Sequence, residues 1–195
     1  MIRIFQKHNK DKLLYLTIII SSLIGILASF LQLLEKINIL ENPSATLICN
    51  INYIFNCTNI LDAWQSSFFG FPNSLMCIIF FAVMLTIGLV GWTGSTINKI
   101  LRLVMHFFTT FFLGFGFWYL WQSIFSLGSI CIFCLFCYSA VLGISFAWLR
   151  INIDDLPMNK SARVYLKKCT NDSSDILIWL SIALIIIAEI ILKFF

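Results

Sequence analysis

Charge is what this sequence has least of. Asp, Glu, Lys and Arg make up 11% of its 195 residues against 60% hydrophobic residues, too little polar material to build the shell of a water-soluble fold. Internal repeats and low-complexity segments are also lacking, which excludes a repeat array, although one apolar run is rich in phenylalanine. Histidine occurs only at His8 and His106, and the two make no metal site; no residue pattern implies a flavin. The first apolar run is too long for a cleaved leader and lacks the small-residue exit that a leader needs, so it is read as a mature helix.

What the sequence does hold is five apolar runs, over residues 13–34, 74–92, 100–121, 130–149 and 176–192. Each is close to the length that crosses a hydrocarbon layer as a helix, about 20 residues. Lipid offers a backbone no hydrogen-bond partners, so each run is expected to be an α-helix that satisfies its own amides. The expected fold is an all-α integral membrane protein, one domain over 1–195 with five transmembrane helices.

Basic residues orient it. With the N-terminus in the cytoplasm, Arg3, Lys7, Lys10, Lys12, Lys99, Arg102, Arg150, Lys160, Arg163, Lys167 and Lys168 fall inside, eleven of the thirteen Lys and Arg. Only Lys36 and Lys193 fall outside, which puts the C-terminus on the outer side. The net charge of +4 thus reports membrane orientation and implies no nucleic-acid partner.

The outer loop over 35–71 is too long for a mere connector. Its second half, 57–69, mixes Ile60, Leu61, Trp64, Phe68 and Phe69 with polar residues, as a short amphipathic helix at the membrane surface does, and Gly70-Phe71-Pro72 breaks it. Trp64, Trp118 and Trp121 near the outer boundary and Trp92 near the inner one read as interfacial anchors. The inner loop over 150–175 shows no apolar period and is expected to be a connector.

Seven cysteines are present, and four share the outer side: Cys49 and Cys57 in the loop, Cys131 and Cys134 at the head of the fourth run. Outside a bacterial inner membrane, thiols persist as disulfides and a Cys-x-x-Cys pair can cycle. The first turn of a helix also favours thiolate, the species that attacks a disulfide. Cys131-x-x-Cys134 by itself reads as helix packing more often than not, with Cys137 in the same row. A second pair on the same face moves the balance to a disulfide relay, one pair to meet a protein and one to meet a membrane oxidant. Cys77, Cys137 and Cys169 lack such placement and are assigned no redox role.

Taken in order, Cys49-x7-Cys57, Phe69-Gly70-Phe71-Pro72-Asn73-Ser74 and Cys131-x-x-Cys134 followed by Tyr138 resemble the vitamin K epoxide reductases and their bacterial disulfide-generating homologues. The resemblance covers roughly 13–149. It implies that helices one to four form a bundle around a quinone of ubiquinone or menaquinone type. It also implies that Cys134 approaches the quinone with Cys131 as partner, that Cys57 bridges to Cys131, and that Cys49 meets a thioredoxin-like substrate protein. Asn73 and Tyr138 match positions that donate hydrogen bonds to the quinone oxygens, where negative charge develops; on their own they also read as a helix cap and a packed aromatic. The sequence departs from the pattern at Ala63, where a small hydroxyl residue is expected, and Asn50 only partly replaces the polar or acidic residue usual after the first loop cysteine.

The last run is a hydrophobic helix, so the thioredoxin-like partner is expected to be a separate protein. His106 and Glu189 lie toward helix ends and are left out of the site. Two other readings compete with the relay: reduction of vitamin K or its epoxide by the same cysteines, and a non-enzymatic membrane protein whose cysteines stabilise a loop or hold a metal.

Overall fold

The computed structural model describes residues 2–44 and 46–194, with side chains over 11–44 and 46–194. The basic side chains of Arg3, Lys7 and Lys10, and that of His8, lie outside the described residues. Among the described residues the secondary structure is helical: α1 (Ile2–Glu41), α2 (Cys57–Asp62), α3 (Asn73–Trp92), α4 (Lys99–Trp121), α5 (Ile132–Asn152), α6 (Lys160–Asn171) and α7 (Ser174–Phe194). A 3₁₀ turn, Trp64–Ser67, follows α2, and a π-helical turn, Gln122–Leu127, continues α4. Five segments are long and apolar enough to cross a membrane, Asp11–Glu41, Asn73–Trp92, Lys99–Leu127, Ile132–Asn152 and Ser174–Phe194, so the chain is an all-α integral membrane protein.

The helices begin where local chemistry starts them. Pro72, with its fixed φ and no N–H, stands at the head of α3, and the Asn98 side chain accepts from Ile100 N at 2.8 Å to cap α4. α1 lies along both α3 and α5, and α4 packs on α5. Ile18, Phe81, Met84, Ile144 and Trp148 fill the centre, each at most 1% exposed. The α1–α3 approach depends on Gly25, because a Cβ there would sit 2.5 Å from the Phe81 ring. α3 and α4 meet through the stacked rings of Phe80 and Phe112, 4.2 Å apart, and through Thr109 Oγ1 on Met84 Sδ at 4.0 Å, and an apolar groove of about 290 Å³ lined by Met76, Ile79, Val83, Met105 and Phe108 lies between them.

Besides an α1 that already begins at Ile2, ahead of the expected residue 13, three features depart from the sequence reading. α1 runs on to Glu41, past the expected end at Leu34, so Glu35 and Lys36 are helical and buried instead of lying in the loop. Their partners come from elsewhere in the chain: Lys36 Nζ donates to Leu61 O and, at 3.3 Å, to Ser66 Oγ, while Glu35 Oε1 accepts from Ile48 N at 3.2 Å. The surface helix expected over 57–69 is two pieces, because Ala63 is extended (φ −65°, ψ 145°) between α2 and the 3₁₀ turn. The inner loop, expected to be a connector, holds α6. Arg163, Leu166, Cys169 and Thr170 recur at helical spacing on its half-buried side, and α6 packs against α7. Only two of those four residues, Leu166 and Cys169, are apolar, so a search for apolar period passes over the stripe.

Candidate active site

One short backbone pairing brings the distant cysteines together. Phe55 and Ile130 form an isolated parallel bridge, with Ile130 N donating to Ile54 O at 2.8 Å. Cys57 follows two residues after Phe55 and Cys131 one residue after Ile130, and their Sγ atoms lie 3.3 Å apart across 74 residues of sequence. Cys57 is also joined to Cys49 by a disulfide with its Cα atoms 5.8 Å apart. Asn50 braces that link: its Oδ1 accepts from Cys57 N at 2.8 Å, and its Nδ2 donates to Thr58 Oγ1 at 2.7 Å. Cys131 and Cys134 are free thiols, so the structure holds one oxidised pair touching one reduced pair. Cys49, Cys57 and Cys131 are 2%, 0% and 1% exposed, which shields the contact from water.

Cys131 stands one residue outside the span Ile132–Asn152, at the N-cap of α5. The Cys134 thiol, together with the backbone N–H groups of Cys134 and Phe133, holds the Cys131 thiol below its ordinary range, against burial and the Glu35 charge. The expected first-turn placement is thus met with the leading cysteine as the cap itself, where unpaired helix amides converge. Cys134, in the first turn, receives a hydrogen bond from Gln32 Nε2 of α1 at 3.3 Å. The sequence reading missed Gln32; its signal was a lone amide inside an otherwise apolar run.

Beside Cys134 a cavity of about 60 Å³ opens among Gln32, Asn73, Phe112, Tyr119 and Tyr138. Asn73 opens α3 without capping it: its Nδ2 donates to Gln65 O at 2.6 Å, and its Oδ1 is buried without a partner. Tyr138 packs over Gly116, where a Cβ would come within 2.6 Å of the ring. Both polar residues expected at the site therefore share a cavity with Cys134. Tyr119, which the sequence reading did not single out, joins them with a buried hydroxyl that has no partner. Cys77 and Cys137 also line the wall, closer to the site than the sequence reading placed them, while Cys169 is on α6. Ser66 does not substitute for the hydroxyl missing at Ala63, because its Oγ donates to Leu61 O at 2.6 Å and accepts from Lys36. His106 lies in a different cavity, with Thr109, Ser145 and Trp179.

The arrangement can pass a disulfide from one cysteine pair to the other next to a cavity with apolar walls and unpartnered polar atoms. No curated protein matches the chain. Residues 16–149, which hold all four of these cysteines, Asn73 and Tyr138, match the vitamin K epoxide reductase family. The chain belongs to that family of membrane oxidoreductases, which couple thiol–disulfide exchange to quinones.

Proposed function

We propose that this protein is a quinone-dependent thiol–disulfide oxidoreductase that reoxidises a separate thioredoxin-fold thiol oxidase outside a bacterial inner membrane. In this reading its N-terminus is cytoplasmic, its C-terminus is on the outer side, and it supports disulfide formation in other proteins. The observation that carries the proposal is the 3.3 Å approach of Cys57 Sγ and Cys131 Sγ while Cys57 is bonded to Cys49. Two sulfurs at that separation are in position for exchange.

A partner thiolate attacks Cys49; the Cys49–Cys57 bond breaks and Cys57 leaves as thiolate. The partner's second thiol displaces Cys49, and the partner departs oxidised. Cys57 then attacks Cys131 of a Cys131–Cys134 disulfide, and Cys134 leaves as a thiolate that the Gln32 amide stabilises. Cys49 closes on Cys57, Cys131 is released, and the loop pair is again oxidised. Because Cys49 is 2% exposed, residues 47–53 swing outward to admit the partner; Ile48, Ile51 and Tyr53 already face out around it.

The residues of the cavity suit a quinone of ubiquinone or menaquinone type. Such a quinone, when bound, supplies the two-electron acceptor for Cys134. Asn73 has one N–H engaged by Gln65 O and a second free to donate to a ring oxygen, and its unpartnered Oδ1 can accept from the hydroxyl of the reduced ring. The Tyr138 and Tyr119 hydroxyls offer further donors, and donors aimed at developing charge favour reduction. A cavity of about 60 Å³ cannot hold a lipid tail, and the apolar groove between α3 and α4, which shares Phe112, gives the tail a path to the bilayer. For the flow to run outward to inward, the acceptor must lie above about −120 mV if the partner matches the most oxidising periplasmic dithiols.

Disulfide mapping tests this. Cys134→Ser is expected to accumulate a Cys57–Cys131 linkage, and Cys57→Ser a mixed disulfide between Cys49 and the partner. Finding neither species under alkylation would end the relay.

A further inference from the structure

Toward the cysteine end, α1 carries a buried polar ladder: Ser22, Ser29, Gln32, Glu35 and Lys36 are each at most 8% exposed. Gln32 reaches Cys134 and Lys36 reaches the loop carbonyl of Leu61. Glu35 is the odd member. Its Oε1 accepts from the amide of Ile48, the residue before Cys49, and its Oε2 is buried with no partner at all. The neighbouring ammonium of Lys36 does not neutralise it by contact, being engaged by Leu61 O and Ser66 Oγ. A buried carboxylate left this poorly supported costs free energy, and a site kept at that cost calls for a role.

The relay creates one. An attacking thiol must lose a proton and the departing sulfur must gain one, yet Cys49, Cys57 and Cys131 are all closed to water. Glu35 lies three residues after Gln32, hence on the same side of α1 and one turn outward from the amide that touches Cys134. It therefore stands beside the line of sulfurs that runs from Cys134 through Cys131 and Cys57 to Cys49.

Building on the relay reading, we propose that Glu35 holds and returns the proton of the exchange between the two cysteine pairs. Starting from the state in the structure, the Glu35 carboxylate takes the proton of the Cys131 thiol. The thiolate attacks Cys57 Sγ, the Cys131–Cys57 bond forms, and the Cys49–Cys57 bond breaks with its electron pair going to Cys49. Glu35 then returns the proton to Cys49, so no net charge or electron is left over. The reverse sequence serves the opposite direction. Glu35 is close enough for its charge to be felt at the Cys131 sulfur, as the smallest of the effects acting there. Of the other titratable or charged groups, Cys131 at the N-cap of α5 feels the Glu35 charge, while Lys36, next to Glu35 on α1, is turned to Leu61 O and Ser66 Oγ and feels Asp62 of α2.

The test uses the full chain carrying Cys134→Ser, in detergent, with neither quinone nor partner. The Cys49–Cys57 disulfide is held at about pH 4, where thiols are inert, and jumped to between about pH 6 and 9. Release of the Cys49 thiol is then followed by maleimide labelling. Adding Glu35→Gln, which keeps an acceptor for Ile48 N–H, is expected to slow release near neutral pH by roughly a hundredfold. Its rate should then climb steadily with pH, where the glutamate protein levels off. Glu35→Asp should keep the shape of the glutamate profile at a lower rate, and it serves if the glutamine chain fails to fold. A profile of unchanged shape in Glu35→Gln, whether at the same rate or a uniformly lower one, would overturn the proton role. Absence of any release in the Cys134→Ser chain with Glu35 intact would instead overturn the relay itself.

Discussion

At the end of the bundle away from the cysteines, Asp175 is gripped by Nε and Nη2 of Arg150 at 2.7 and 2.6 Å, Asp155 by Lys99 at 3.1 Å and by Arg102, and Asp154 by Lys167. At the cysteine end, Glu35 has a single backbone amide and an unpaired oxygen, although a lysine follows it in the chain. Asn73 and Tyr119 likewise keep buried polar atoms without partners there. Ion pairing at the first end ties α7 to α5 and the segment after α5 to α4. Unpartnered polar atoms occur at both ends, Arg102 Nε, Asn152 Oδ1 and Arg163 Nε at the first, but only the second holds a buried carboxylate with no counter-ion in contact, a group able to hold a proton. Which charges have partners, more than how many charges there are, separates the clasp from the chemistry.

The largest expected effect breaks the clasp. Asp175→Ala leaves the half-buried Arg150 guanidinium without its carboxylate and should cost about 1.5–3 kcal/mol, the worth of a charged hydrogen-bonded contact, in the docking of α7. Limited proteolysis within 153–173, together with thermal unfolding in detergent, would detect it; unchanged protection would mean that apolar contacts such as that of Ile186 hold α7 alone.

Tyr119→Phe sharpens the contrast, because it removes a hydroxyl that has no partner to lose. No stability loss is expected, while quinone binding should weaken by about 1 kcal/mol, roughly fivefold. The KM for a soluble quinone analogue and the melting temperature, measured on the same preparation, separate the two. A stability loss without a change in KM would make Tyr119 a core residue.

The smallest effect is one of pH. The Lys99 hydrogen bond, with Arg102 beside it, holds the Asp155 carboxyl below the ordinary carboxylate range. A carboxyl whose folded pKa is depressed contributes stability above its unfolded pKa, about 4, and loses that contribution as pH falls through the folded value. The difference in melting temperature between the native chain and Asp155→Asn should therefore shrink as pH drops below about 4. A difference that holds constant would show the contact to be non-ionic.

The spans of α3, α4 and α7 were legible to within a few residues because hydropathy and length decide a membrane helix almost alone. α1 was harder. A rule that stops an apolar run at its first charge ends it at Leu34, whereas Lys36 is buried because Leu61 and Ser66, far along the chain, offer it oxygens. Gln32 and Tyr119 escaped notice for a related reason, since a polar residue in an apolar run gains meaning only from what it faces, and Glu35 was read as an acidic residue of the outer loop. Asn73 and Tyr138 were legible through family resemblance, and the residues show why each sits at the cavity: one is tied to Gln65 O and the other rests on Gly116.

The sequence by itself determined that this chain lies in a membrane as a set of helices and that four of its seven cysteines stand as two closely spaced pairs, because lipid permits a backbone few other solutions and side-chain types are local facts. Only the tertiary structure decided that Gln32 bonds Cys134 and that Glu35 stands without a counter-ion beside the cysteines, and it brought Cys57 against Cys131, a contact that the residues themselves left open and only the family resemblance implied. Those outcomes depend on contacts between segments many residues apart, such as the bridge from Phe55 to Ile130, and packing settles them where local preference cannot.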